Sequence, residues 1–138
     1  MKTMKITKRE AEYLLILFRE NAYSNKYISS IVMAKKLNIA PSTVVEKFQR
    51  LAEKGYVNYV KRKGVKLTDK GLKFAKKLIR KHRILEVLVV QISGVDANTA
   101  CNMVKGLEIE LNDDLTELLC KSLGRPRRCP HGYEIPEV

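Results

Sequence analysis

The sequence predicts a mainly α-helical chain in two parts, three helices closed by a β-hairpin and then an all-helical part. Three observations carry that expectation. Apolar residues recur at helical spacing in successive segments; one pair of short alternating stretches, rich in β-branched and aromatic residues, flanks Lys61-Arg62-Lys63-Gly64; and charge is uneven along the chain. Of 27 Lys and Arg against 15 Asp and Glu, a net charge of +12, residues 1–72 hold 16 and 6 while residues 73–138 hold 11 and 9. A basic front joined to a nearly neutral rear is expected of a polyanion-binding module followed by a pairing or sensing module. The domain boundary is therefore placed between residues 72 and 73.

Thr7-Lys-Arg-Glu10 has the form of a capping box, in which the Thr hydroxyl and the Glu carboxylate each satisfy an orphan amide at a helix start. Ala11, Leu14, Leu15 and Phe18 follow at i, i+3, i+4 and i+7 and give that helix one buried stripe, ending near Asn21 before a polar loop through Ser24 and Asn25. Ser29 and Ser30 open a second helix over Ile31–Leu37, which Asn38-Ile-Ala-Pro41 breaks. Pro41 starts a third, since proline in the first turn forfeits only an amide without a helical partner, and Gly55 stops it. Val44, Phe48 and Leu51 share one face of this helix, and Ser42, Glu46, Gln49 and Glu53 the opposite one. Tyr56–Val60 and Val65–Leu67 are the hairpin strands. Thr68 caps a long helix from Asp69 to about Ile92, broken at Gly94. Asp96 caps another through about Leu111, and Asn112-Asp-Asp114 opens a last one ending at Gly124. The tail from Arg125 to Val138, with Pro126, Pro130 and Pro136, is irregular.

No apolar run approaches the roughly 20 residues that cross a bilayer, and no export-type apolar segment follows the basic start Met1–Lys8. The expectation is a soluble, cytoplasmic protein with no membrane partner. Cys101, Cys120 and Cys129 form neither an even set nor a CxxC pair, so they read as thiols or metal ligands and not as a disulfide framework. Enzymatic function ranks last, because a phosphate-cradling glycine loop and a nucleophile elbow are both missing and His82 and His131 are the only imidazoles.

Two short helices joined by a tight turn, the second amphipathic, followed by a basic hairpin, are the layout of a winged helix-turn-helix. Its second helix enters the major groove of double-stranded DNA. Ser42, Thr43, Val45, Glu46 and Gln49 are then the candidate base readers: Gln can pair bidentately with adenine, Ser and Thr can bond bases or phosphates, and Val can meet a thymine methyl. Lys47 and Arg50 flank that face and suit phosphates, as do Lys61, Arg62 and Lys63 at the hairpin tip. Farther on, Ile84, Leu85, Val87, Leu88, Val89, Val90 and Ile92 are apolar around most of the long helix, more than one small lobe can cover. A homodimer reading a palindromic operator is the economical consequence.

With these elements in place, the chain resembles the diphtheria toxin repressor family of metal-dependent transcriptional regulators, iron- and manganese-responsive, in its two-domain form. The matching stretches are Ala40-Pro-Ser-Thr-Val44, Lys47-Phe-Gln-Arg-Leu51, Lys54-Gly-Tyr-Val57, Leu67-Thr-Asp-Lys-Gly71, Lys81-His-Arg-Ile-Leu-Glu86, Ile92-Ser-Gly-Val-Asp96, and Cys129-Pro-His-Gly132 with Ile135-Pro136. The resemblance implies a winged-helix domain followed by a helical dimerisation domain with metal sites. It also implies a sequence-specific regulator, most simply a repressor, that answers to a divalent transition metal such as Zn, Fe or Mn.

Carried over by position, the resemblance implies ligands at Glu12 on the first helix, His82 and Glu86 on the long helix, Cys101 in place of a family histidine, and Glu108. Lys105 and Ile109 stand where relatives supply Cys or Glu and His, so the family's primary site is not assembled as usual. His82, Glu86 and Cys101 retain the second, ancillary type. Chemistry agrees, because His82 and Glu86 at i, i+4 share a helix face and imidazole, carboxylate and thiolate all suit Zn²⁺ and similar ions. Cys129 and His131 offer a further thiolate and imidazole at short spacing, where a packed turn is the competing reading. Two alternatives stay open. In one, Lys105 places an ammonium among Glu12 and Glu108 and the regulator needs no metal; in the other, a basic architectural protein coats DNA without sequence preference.

Overall fold

A computed structural model describes residues 6–21, 24 and 26–138; Asn25, expected in the first loop, lies outside the described residues. The order of elements is α1 (Lys8–Asn21), α2 (Ser30–Leu37), α3 (Pro41–Glu53), β1 (Val57–Val60), β2 (Gly64–Leu67), α4 (Asp69–Ser93), α5 (Ala97–Val104), a 3-10 turn (Leu107–Ile109) and α6 (Asp113–Ser122). They form two compact units, Met1–Ala75 and Lys76–Val138, and the boundary falls within α4. No helix among the described residues is long and apolar enough to cross a membrane.

In the first unit the capping box closes as its sequence requires. The Thr7 amide donates to Glu10 Oε1 and the Glu10 amide to Thr7 Oγ1, each at 3.1 Å. Glu10 does more than cap, because Lys54 Nζ, just past α3, donates to both its oxygens at 2.8 and 3.0 Å. Burial pushes the Glu10 pKa up, but hydrogen bonds from Lys54 and Thr7 and the Lys54 charge outweigh it and hold the carboxyl below its ordinary value. Tyr13, Leu14 and Leu17 of α1 pack into a core that also buries Met33, Val44, Phe48, Leu51 and Val65, with the Tyr13 and Phe48 rings edge to face at 6.1 Å. Asn38, at φ 54°, makes the turn between α2 and α3 in the left-handed conformation that asparagine tolerates.

The strands β1 and β2 pair antiparallel, Val57 opposite Leu67 and Val60 opposite Gly64. Ile28 extends the pairing, exchanging backbone hydrogen bonds of 2.8 and 3.0 Å with Val65. Only glycine fits at position 64, since a Cβ there would stand 1.9 Å from the Ile28 carbonyl oxygen at a φ of 110°.

In the second unit Ile84, Val87, Cys120 and Ile135 form the core, with Leu119 and Leu123 packed against it. The apolar run on α4 is thus partly spent inside its own unit: Leu88, Val89 and Val90 are half-buried, and Ile92 is exposed. Asp96 caps α5 by accepting from the Thr99 amide at 2.7 Å. The helix expected to run from there to Leu111 is broken. It stops at Val104, Lys105 leaves the helical region at ψ 122°, and Gly106 turns the chain at φ 92°. A continuous helix would have stacked Lys105 and Glu108 on the face of Cys101; the break instead exposes Lys105 and buries Glu108. Asn112 caps α6 through the Leu115 amide. The tail is a turn, closed by the Cys129 amide donating to the Tyr133 carbonyl and the Gly132 amide to that of Cys129. It is tied to α4 by Arg80, which donates to the Pro136 carbonyl, and by Arg83, which donates to that of Glu134.

Candidate metal centre and nucleic-acid interface

One turn of α4 brings His82 above Glu86, and the cap at Asp96 aims the first turns of α5 at the same place. His82 Nε2 lies 3.0 Å from Glu86 Oε1 and 3.4 Å from Cys101 Sγ. Its other nitrogen, Nδ1, is buried without a hydrogen-bond partner and faces Glu108 Oε2 at 3.6 Å. Glu108 is held there by the Gly106 amide, which donates to the same oxygen at 2.9 Å. Burial lowers the His82 pKa, but Glu108, Glu86 and Cys101 overcome it and raise it to about 10. Without a metal, then, a proton is the cation among these acceptors. A carboxylate behind Nδ1 keeps Nε2 aimed at the other donors, the arrangement that orients metal-bound histidines.

The ligand atoms of His82, Glu86 and Cys101 lie within 4.8 Å of one another, and so do those of Glu86, Cys129 and His131. Imidazole, carboxylate and thiolate around one point fit a borderline-soft divalent ion, and the unpartnered Nδ1 behind His82 is the kind of atom such a site leaves to an outer carboxylate. Glu12, in the first unit, is paired with Arg9 at 2.9 Å. Lys105 is exposed and has no ion-pair partner among the described residues, and the cation next to Glu108 is His82, which speaks against the alternative in which Lys105 places an ammonium among Glu12 and Glu108.

On α3, Ser42, Thr43, Glu46, Gln49 and Arg50 are exposed, Val45 and Lys47 half-buried, and Val44, Phe48 and Leu51 face the core. At the hairpin tip Lys61, Arg62 and Lys63 are all exposed. Arg62 takes φ 72°, and Lys63 rests over the Tyr27 ring at 5.9 Å. Sequence reasoning missed three features: the Lys54 partner of Glu10, the sharing of Glu86 between two donor groups, and Asn98, whose Oδ1 lies 2.8 Å from His131 Nε2. Glu10 at a helix start signals only a cap, and a contact made across 44 residues leaves no local trace.

An exposed helix-turn-helix face with a basic wing, followed by a helical unit with buried nitrogen, oxygen and sulfur donors, defines a class: DNA-binding regulators that respond to a small ligand. The chain belongs to the iron-dependent repressor family, with residues 5–65 matching its N-terminal DNA-binding domain and residues 68–137 its metal-binding and dimerisation domain. It is 37% identical over 108 residues to an HTH-type transcriptional regulator of Methanocaldococcus jannaschii, covering 78% of this chain and 84% of that one. A structure of a hypothetical protein from Sulfolobus solfataricus matches with a TM-score of 0.76 at 39% identity, over 96% of this chain and 100% of that chain. A manganese-dependent transcriptional repressor in complex with manganese matches with a TM-score of 0.83 at 30% identity, over 94% of this chain and 59% of that chain. The protein is therefore a DNA-binding transcriptional regulator of the metal-dependent repressor type.

Proposed function

We propose that this repressor acts in the cytoplasm as a homodimer on a palindromic operator, and that an ion held by His82, Glu86 and Cys101 switches it. Ser42, Thr43, Val45, Glu46 and Gln49 read bases, while Lys47, Arg50, Lys61, Arg62 and Lys63 hold phosphates. The observation that carries the reading is the buried convergence of His82 Nε2, Glu86 Oε1 and Cys101 Sγ. A thiolate in the set favours Zn²⁺ or Fe²⁺ over Mn²⁺. When bound, the ion supplies a fixed positive charge where the His82 proton was and clamps the second half of α4 to α5. Exposed Ile92, Met103, Leu107, Leu115 and Leu118 supply apolar surface for the dimer.

Selection of bound DNA from a random pool, followed by binding with and without chelator, tests this reading. An inverted repeat should be enriched, and affinity for it should fall at least about tenfold in chelator and recover with Zn²⁺ or Fe²⁺, a coupling of ordinary size. An unenriched pool would mean architectural coating. Equal binding with and without chelator would remove the switch.

A further inference from the structure

We infer that Tyr27 is a positioning residue of the DNA interface, and that its ring holds the ammonium groups of Lys63 and Lys66 on the outer face of the wing for contact with the phosphates of duplex DNA. The inference rests on the reading of the wing as a phosphate-binding element and extends it to two side chains which that reading leaves out, Tyr27 and Lys66. Lys63 Nζ lies 5.9 Å and Lys66 Nζ 5.2 Å from the centroid of the Tyr27 ring, within the roughly 6 Å over which a ring face attracts a cation. From Tyr56 to Thr68 the chain carries Lys61, Arg62, Lys63 and Lys66 and no Asp or Glu.

Backbone geometry puts the ring there. The Lys26 carbonyl accepts from Asn21 Nδ2 of α1 at 3.0 Å, and Ile28 bridges Val65 in antiparallel sense, so Tyr27 is tied on both sides. Ile28 and Val65 are buried, and side chains alternate along extended backbone, which turns Tyr27 and Lys66 to the other face, opposite each other. Lys66 in turn stands opposite the exposed Asn58 of β1. The outer row therefore runs Tyr27, Lys66, Asn58, and Lys63 reaches the same ring from the tip. Four cations without an acid repel one another, and a lysine stem carries much rotamer freedom. An aromatic face offsets that repulsion without competing for the cation as a carboxylate would. It covers one side of each ammonium and leaves N–H groups on the other side for an anion. Lysines held in this way lose less freedom when they meet the phosphodiester backbone. The ring supplies placement, and the lysines supply charge.

Anisotropy titrations of the full chain with a duplex of mixed sequence, at several salt concentrations, test the arrangement; phosphate contacts carry non-specific binding, so no operator is needed. Lys66→Ala should weaken binding about fivefold, the share of one contact among six to ten, and lower the log-log salt slope by about 0.9. Tyr27→Leu should weaken it about two- to fivefold, whereas Tyr27→Phe, which keeps the ring, should bind as the wild type does. In a variant carrying both Lys63→Ala and Lys66→Ala, adding Tyr27→Leu should cost nothing further. Thermal melts of each variant provide the control. An undiminished loss on adding Tyr27→Leu in that background would overturn the positioning role, because Tyr27 would then act without the lysines. A Tyr27→Phe variant as weak as Tyr27→Leu would assign the effect to the phenol oxygen and overturn the role of the ring. Tyr27→Leu that binds as tightly as the wild type, or tighter, would overturn the inference, as would unchanged affinity and slope in Lys66→Ala. In these last cases, weakened binding on replacing Lys61, Arg62 and Lys63 by Ala would leave the wing reading standing; an unchanged slope there too would remove both.

Discussion

The two units place their charges in opposite ways. In the first, cations stand outside, on the exposed tip Lys61-Arg62-Lys63 and at Arg50, and one buried pair, Glu10 with Lys54, closes the interior. In the second, charge goes inside: His82, Glu86 and Glu108 are each no more than 3% exposed. Fixed surface cations attract a polyanion at any time, modulated by salt. A buried cluster richer in acceptors than in protons responds to a cation. Under the function proposed above, the difference would separate reading from sensing within one chain, and each half of that division can be broken by substitution.

The largest effect is expected at the wing. Non-specific affinities of about 10⁻⁴–10⁻⁶ M rest on six to ten phosphate contacts, which makes three of them worth about 2–3 kcal/mol, roughly 100-fold in affinity. Replacing Lys61, Arg62 and Lys63 together by Ala should weaken binding to all sequences by that factor. It should also flatten the log-log salt slope by about 0.9 for each phosphate that is no longer neutralised. Metal binding in the second unit should not change. A wing variant with an unchanged slope would show that the exposed cations do not read phosphate.

Next in size is Glu108→Gln, which removes the carboxylate behind His82 Nδ1. Losing such an orienting partner lowers metal affinity by about 10–100-fold. The pH dependence has a defined direction. With the His82 pKa raised from 6.5 to about 10, its proton contributes folding stability that is complete below pH 6.5 and lost as pH rises toward 10. Metal must displace that proton, so affinity should climb through the same window, by about tenfold per pH unit while one proton is released. Calorimetric titration at several pH values in two buffers of different ionisation enthalpy counts the protons released. A flat profile would place the ion away from His82.

The first unit was the more legible of the two. Its helices announce themselves by capping residues and by the stripe through Ala11, Leu14, Leu15 and Phe18, and its wing by alternation around a basic tip, because local chemistry decides each of them. The second unit was legible as helices but not as a site. Gly106 at φ 92° breaks the expected helix after α5, and nothing in the Ala97–Leu111 pattern outweighs its continuous helical spacing. That break decides which of Lys105 and Glu108 goes inside. The i, i+4 pair His82 and Glu86 is readable from spacing alone. The approach of Cys101, Cys129 and His131 to them depends on packing over 15 to 45 residues of chain, which spacing does not encode.

A smaller effect separates the Glu10–Lys54 ion pair of the first unit from the cluster in the second. Lys54→Met leaves the Glu10 carboxylate buried with the Thr7 amide as its remaining donor, which should cost about 2 kcal/mol in urea unfolding at neutral pH. Because the folded pKa of Glu10 is below its ordinary 4.5, the stability it contributes is present above that value and is lost as pH falls through the folded pKa. The wild type should lose stability through that acidic window, and Lys54→Met should lose less there. Equal slopes in both proteins would mean that the pair carries none of the acid sensitivity.

The smallest effect has the opposite sign. Tyr13 is fully buried in the first unit, and its hydroxyl has no hydrogen-bond partner among the described residues. Burial raises its pKa, with Arg9 lowering it and Glu12 raising it, so the phenol stays protonated at neutral pH. A buried hydroxyl without a partner costs its desolvation and returns nothing, whereas the ring still packs edge to face on Phe48. Tyr13→Phe keeps the ring and removes the oxygen, so it should stabilise the protein by about 1 kcal/mol, the low end of the penalty for an unpaired buried polar group. DNA affinity should be unchanged, because α3 keeps its packing against the same ring. Unlike His82 Nδ1, which faces the Glu108 carboxylate, this orphan atom has no hydrogen-bond partner among the described residues. A loss of stability on Tyr13→Phe would show that the hydroxyl does have a partner.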